Sequence, residues 1–167
     1  RARGLRIAVY LNIHTMQQEL AAQHPECLQH DRSGTPLQIY RRDYALCPNS
    51  PHVRNWFGQL HEDLLAYDID IVFHDGVAFY QSGCYCGFCQ KLFQQQHGRE
   101  LPPKDVLDHP EWPLLAEFQS NCLCEWQRHW RDLIKRRRPD VMYARNIGDA
   151  LLPQWRVGKD VRRLAGI

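Results

Sequence analysis

No apolar stretch of this sequence approaches the roughly 20 residues needed to cross a bilayer. No basic and apolar leader opens it either. Arg1-Ala2-Arg3-Gly4-Leu5-Arg6 runs at once into a strand-like segment, so the chain reads as starting inside a domain. An excess of charge of one sign is also missing. With 21 Lys and Arg against 19 Asp and Glu, the net charge of +2 gives no basis for binding nucleic acid or an anionic membrane surface. The run Lys135-Arg136-Arg137-Arg138 sits where a helix should end, and reads as a cationic last turn facing the helix dipole. Internal repeats and low-complexity tracts are absent. What remains is an ordinary globular composition in 167 residues, enough for one domain with its own core. Its cysteines stand out. There are seven, an odd number, and they cluster; a disulfide scaffold would be smaller and would spread them more evenly. Reduced thiols in a cytoplasmic protein are the expectation.

Leu5-Arg6-Ile7-Ala8-Val9-Tyr10-Leu11 reads as a buried strand. Residues 15–46 show no clean period and carry the turn signals His24-Pro25, Ser33-Gly34 and Thr35-Pro36, so they read as a long excursion. After Cys47-Pro48, Asn49 or Ser50 can cap a helix and Pro51 suits its first position. Val53, Trp56, Phe57, Leu60 and Leu64 then share one helical face, with an end expected near Tyr67. Residues 69–74 form a second buried strand, closed by Asp75-Gly76. A loop rich in Gly and Cys follows (77–90), then a short helix from about Cys89 to His97, stopped by Gly98. A long helix is expected from about Pro113 to Arg137, with Leu115, Phe118, Cys122, Trp126, Trp130 and Leu133 inward; Pro139 ends it, and residues 141–146 make a third strand. The order strand, helix, strand, helix, strand implies parallel strands joined by right-handed crossovers. An open doubly wound α/β sheet and a part of a (β/α)₈ barrel both fit; a full barrel needs about 250 residues, so this chain would supply about three of eight strands.

Cys84-Tyr85-Cys86-Gly87-Phe88-Cys89 puts three thiols within six residues. Zinc takes four ligands in a tetrahedron and favours thiolates in structural sites. Two of these sulfurs can share one ion through a Cys-x-x-Cys turn, and Gly83 and Gly87 relax the backbone for the third. The fourth is expected to be Cys47. It precedes the helix that leads into the second strand, so it lies at the face that the Cys84 loop also leaves. Cys122 and Cys124 stand two apart on a helix and cannot both face one ion; Cys27 is a weaker candidate. The competing reading is a Cys-x-x-Cys redox pair, with a reducible bond between Cys86 and Cys89.

Arg41-Arg42-Asp43-Tyr44-Ala45-Leu46-Cys47-Pro48-Asn49-Ser50-Pro51, followed by the three clustered cysteines and Phe93, resembles the zinc-site pattern of the family 42 glycoside hydrolases, the β-galactosidases. The wider pattern adds His24-Pro25-Glu26, Asp70-Ile71-Val72-Phe73-His74-Asp75-Gly76 and Gly98-Arg99-Glu100-Leu101-Pro102, and is closer to the group called hypothetical glycosyl hydrolase 6. The resemblance covers about residues 5–147. It implies one partial (β/α)₈ TIM-barrel domain over residues 1–167, spanning roughly the third to fifth strands. It also implies a structural zinc on Cys47, Cys84, Cys86 and Cys89, and a carbohydrate substrate. One departure matters. The β-galactosidases carry Asn-Glu at the end of the fourth strand, where this chain has His74-Asp75. That looks more like the barrel glycosidases whose fourth-strand aspartate is the nucleophile, such as α-fucosidases and α-galactosidases.

Glycoside hydrolysis uses two carboxylates, and barrel active sites form at the strand C-terminal ends. Asp75 ends the second strand and is the candidate for one of the two catalytic carboxylates. Asp-Gly is also an ordinary turn pair. In the resembling families the second carboxylate lies on a later strand, beyond Ile167; Asp149 is a poor substitute. His14, Arg42, His74 and Asn146 are the candidate substrate-binding residues, with Arg41 an alternative to Arg42, and Phe79, Tyr80 and Tyr85 could stack on a sugar. The alternative to a hydrolase fragment is a non-catalytic, zinc-stabilised interaction module whose metal loop contacts a partner or a second copy in a homo-oligomer.

Overall fold

The computed structural model of the protein describes residues 4–80, 83–103, 109–146 and 158–167. Asp149 lies outside them. Three parallel strands form the central sheet in the order β1-β5-β6: β1 (Ala8–Asn12), β5 (Ile71–Asp75) and β6 (Met142–Arg145). In register, Asn12 faces Asp75 across one ladder and Arg145 faces His74 across the other. The alternation read from the sequence therefore gives a mixed α/β fold around a parallel sheet.

Two helices carry the chain between these strands. α2 (Pro51–Leu65) begins with proline at its first position, where no donor is needed. α4 (Trp112–Arg137) ends on Lys135, Arg136 and Arg137. That basic run ties the end of α4 to its surroundings. Lys135 donates to the carbonyls of Pro139 and Val141, Arg137 pairs with Glu62, and Arg138 bonds Asp140 and the carbonyls of Leu65 and Tyr67. Between them α3 (Gly87–His97) stops at Gly98, whose φ of 68° is the left-handed cap that glycine adopts without strain. A last short helix, α5 (Val161–Ala165), is capped by the Asp160 side chain.

Helices α2 and α4 cover one face of the sheet. Phe57, Trp126 and Trp130 meet edge to face there, with ring centroids 5.1–6.5 Å apart. The inward residues expected on α4 are buried, except that Leu133 is only partly so and Ile134 takes the deepest place. On α2 the buried face is Val53, Phe57, His61 and Leu65. Trp56 is 40% exposed, against expectation: it lies on the edge of the apolar stripe and leans on Phe57 from outside.

Two further readings are corrected. The first strand is not buried. It is an edge strand whose helix-facing Leu11 is covered, while Leu5, Ile7 and Tyr10 are exposed. The excursion, read only as an aperiodic segment, has regular structure of its own. It holds a small antiparallel sheet in the order β2-β4-β3, of β2 (Thr15–Gln17), β4 (Asp43–Ala45) and β3 (Gln38–Ile39), with a one-turn helix α1 (Gln18–Ala21) and a 3₁₀ turn at Pro25–Cys27. Strands of two and three residues are too short to show a period.

Candidate active site and metal centre

The four cysteines meet. The sulfurs of Cys47, Cys84, Cys86 and Cys89 lie within 4.8 Å of one another, and all four residues are buried. Cys47 Sγ is 3.5 Å from both Cys86 Sγ and Cys89 Sγ, and 3.7 Å from Cys84 Sγ. A tetrahedron of sulfurs with metal–sulfur bonds of about 2.3 Å has edges of about 3.8 Å. The donor set and its spacing therefore fit one tetrahedral metal ion. Disulfide sulfurs would be about 2.05 Å apart, and all of these cysteines are free thiols.

Charge argues the same way. Burial, then hydrogen bonding to Cys84 and Cys86, pushes the Cys47 thiol well up, while hydrogen bonds from Cys47, Cys84 and Cys89 hold Cys86 low. Four sulfurs this close share their protons, and a cation between them lets all four ionise.

The excursion positions this centre. Cys47 N–H donates to the Cys27 carbonyl at 2.8 Å, and Tyr85 N–H donates to the His30 carbonyl at 2.8 Å. Gln29 is fully buried between the two cysteine loops. Its amide donates to the carbonyls of Leu46 (2.9 Å) and Ala78 (2.7 Å), and its oxygen accepts from Tyr80 N–H (3.4 Å). The sequence reading missed Gln29, because a lone polar residue in an aperiodic segment carries no signal. Tyr85 donates to the Pro102 carbonyl, and Phe88 packs near His52, so both brace the metal loop.

Asp75 closes β5 and is held from both neighbouring strands. Tyr10 O–H donates to one carboxylate oxygen, and Asn146 Nδ2 donates to the other at 2.9 Å. Partial burial opposes ionisation of Asp75, but the Tyr10 and Asn146 hydrogen bonds and the nearby His14 outweigh it and hold the carboxyl below its ordinary range. The same bond, with burial and the Asp75 charge, pushes the Tyr10 hydroxyl up to about 12. His14 Nδ1 lies 3.3 Å from the Asp75 carbonyl, so its proton belongs on Nδ1, and its ring meets Tyr40 edge-on at 6.2 Å. Tyr40 has φ 53°, a strained value for a residue with a side chain.

Lys159 joins this group from the far end of the chain. Gly158, at φ 77°, lets it do so: a Cβ there would stand 2.9 Å from Gln119 Cβ and 3.1 Å from the Phe79 ring. Burial lowers the Lys159 pKa, while the Asp75 charge raises it, and its Nζ would lie 3.6 Å from a Cβ placed on Gly76.

Of the predicted substrate-binding residues, the structure brings His14 and Asn146 to Asp75 and leaves two elsewhere. His74 points to the opposite face, as residue alternation along a strand requires. It is buried under α2 and α4, with Nε2 2.7 Å from His61 Nε2 and Nδ1 3.4 Å from the Tyr143 hydroxyl. His61 also donates from Nδ1 to the Phe57 carbonyl and stacks on Trp130 at 4.6 Å. Arg42 is exposed and pairs with Glu19 on α1, and Arg41 is held through its carbonyl by Gln38. Phe79 is buried and therefore does not present a stacking face, whereas Tyr80 is half-buried. Tyr10, Tyr40 and Lys159 were not foreseen. The pairing of β1 with β5 could have found Tyr10, since it lies on the Asp75 face.

No family model matches the chain, and no curated protein matches it. Solved structures do. An α-L-fucosidase isoenzyme from Paenibacillus thiaminolyticus superposes with a TM-score of 0.71 at 21% identity, over 99% of this chain and 23% of that one. A β-galactosidase from the haloarchaeon Halorubrum lacusprofundi gives 0.64 at 20% identity, over 87% and 27%. A β-galactosidase from Bacillus circulans sp. alkalophilus gives 0.57 at 21%, over 80% and 25%. The shared feature is the fold, and the chain spans about a quarter of the length of these proteins. Among the described residues, no helix is long and apolar enough to cross a membrane.

Proposed function

We propose that this chain is part of a glycoside hydrolase acting on O-glycosidic bonds. On this reading residues 1–167 form one partial domain, three βα units of a (β/α)₈ barrel close to its third to fifth strands, related to the family 42 enzymes and the hypothetical glycosyl hydrolase 6 group. The carrying observation is Asp75: a carboxylate at the C-terminal end of the central parallel strand, held by Tyr10 and Asn146 from the strands on either side. Active sites of βα-barrels form at that end. Three glycosidases with the same fold over this chain support the assignment.

A carboxyl held in its charged form suits a nucleophile or a base better than a proton donor. Asp75 takes that role. His14, Asn146 and Lys159 offer hydrogen bonds to sugar hydroxyls around it. Tyr40 and Tyr80 offer aromatic faces.

Cys47, Cys84, Cys86 and Cys89 hold a structural zinc. Four soft thiolates in a closed, buried tetrahedron select zinc among common divalent ions and leave no open position for a substrate. The ion joins the loop before α2 to the loop after β5, so it braces the loop that leaves Asp75. The test is Asp75→Asn in the full-length protein, assayed on a panel of aryl glycosides. Hydrolysis should disappear with folding unchanged; wild-type turnover in that variant would remove Asp75 from the chemistry.

A further inference from the structure

One polar side chain stands just outside the four sulfurs. Asn49 follows Cys47 by two positions, and its Nδ2 lies 3.3 Å from Cys89 Sγ and 3.4 Å from Cys122 Sγ.

Neither Asn49 nor Ser50 caps α2, although both residue types commonly do. No side chain caps that helix, and Ser50 Oγ turns instead to the Glu26 carbonyl at 3.0 Å. The Asn49 amide is thus committed to sulfur. Its NH₂ has two hydrogens, one for the ligand Cys89 and one for Cys122 on α4, and an amide oxygen facing a thiolate would be repelled. A divalent ion with four thiolates carries two net negative charges. Such a buried charge needs donors or a cation beside it.

We propose that Asn49 stabilises the net negative charge of the cysteine centre by donating to Cys89, while fastening that ligand to α4 through Cys122. This rests on the zinc reading. Groups that hydrogen-bond to metal ligands change metal affinity by about 10–100-fold when removed, so the effect is measurable on the metal rather than on turnover.

The full-length protein is first analysed for zinc. A wild-type content below about half an equivalent overturns the metal reading itself. With zinc present, its release to excess chromogenic chelator is timed for wild type, Asn49→Ala and Asn49→Asp. A donor role predicts the slowest release from wild type, release about ten-fold faster or more from Asn49→Ala, and the fastest from Asn49→Asp, which sets a carboxylate against a thiolate. Equal rates in all three, or an Asp variant as slow as wild type, would overturn it; the latter marks a packing role. Should the Asp variant fail to fold, cobalt-substituted Asn49→Ala still decides. Losing a hydrogen bond raises the sulfur lone pair, so the thiolate-to-cobalt charge-transfer band should move to longer wavelength, and an unmoved band refutes the proposal.

Discussion

Gln29→Leu should destabilise the protein by about 1–4 kcal/mol, although the Gln29 hydrogen bonds reach neither Asp75 nor a cysteine sulfur. The side chain is fully buried, and its amide supplies two short bonds, to the carbonyls of Leu46 and Ala78. Each buried group left without its partner costs about 1–3 kcal/mol, so the two carbonyls cost about 2–6. The third bond, from Tyr80 N–H at 3.4 Å, is long and adds little. A leucine of similar size returns about 1–2 kcal/mol through apolar burial, which leaves the net figure. For a chain of this size the melting midpoint should fall by about 3–12 °C. Gln29→Glu should be worse than leucine, because it removes both donors and sets a carboxylate against two carbonyls. The assay is urea unfolding followed by tryptophan fluorescence, with the slope checked for constancy. A loss below about 1 kcal/mol in the leucine variant, or a glutamate variant as stable as wild type, would show that Gln29 is not the staple between the two cysteine loops.

Two further outcomes follow from the titrating groups. Burial lowers the pKa of His61 and takes that of His74 to about 2, with the neighbouring His61 adding to the His74 shift. The unfolded chain then binds more protons than the folded one below about 6.5. Stability from this pair is therefore complete above about pH 6.5 and is lost as the pH falls, by up to about 1.4 kcal/mol per pH unit for each histidine. Urea midpoints measured from pH 7 to 5 should fall in the wild type and fall less steeply in His61→Gln; equal slopes would refute it. At Asp75 the sign is that of a carboxylate held charged. Tyr10→Phe removes one donor, so the acid limb of the pH–rate profile should move to higher pH. An unmoved limb would detach Tyr10 from Asp75.

The frame of the fold could be read from the sequence because its elements are long enough to show a period. The stripe of α4 and the apolar run before Asp75 are of this kind. Cys47 was reachable too, since topology sets both cysteine loops at one end of the sheet. Other features are invisible to periodicity. The excursion folds through strands of two or three residues, and its order comes from Gln29 and from backbone bonds between loops. Trp56 lies at the margin of an apolar stripe, where composition cannot tell inside from outside. His74 was misplaced although the rule was available: neighbours on a strand point to opposite faces, so it could not share the Asp75 site. Asn49 looked like a helix cap because its alternative partners, two sulfurs, lie 40 and 73 positions away. Lys159 reaches Asp75 only because Gly158 fits tightly against Gln119 and Phe79.

Elemental analysis of the purified full-length protein, beside its Cys47→Ser variant, tests the metal centre most directly. The wild type should carry close to one zinc per chain, with its four thiols unreactive until a chelator is added, and replacing Cys47 should cause a clear loss of zinc although the other three cysteines remain. A folded wild-type protein with less than about half an equivalent of zinc, or a Cys47→Ser variant that retains zinc as firmly as the wild type, would contradict it.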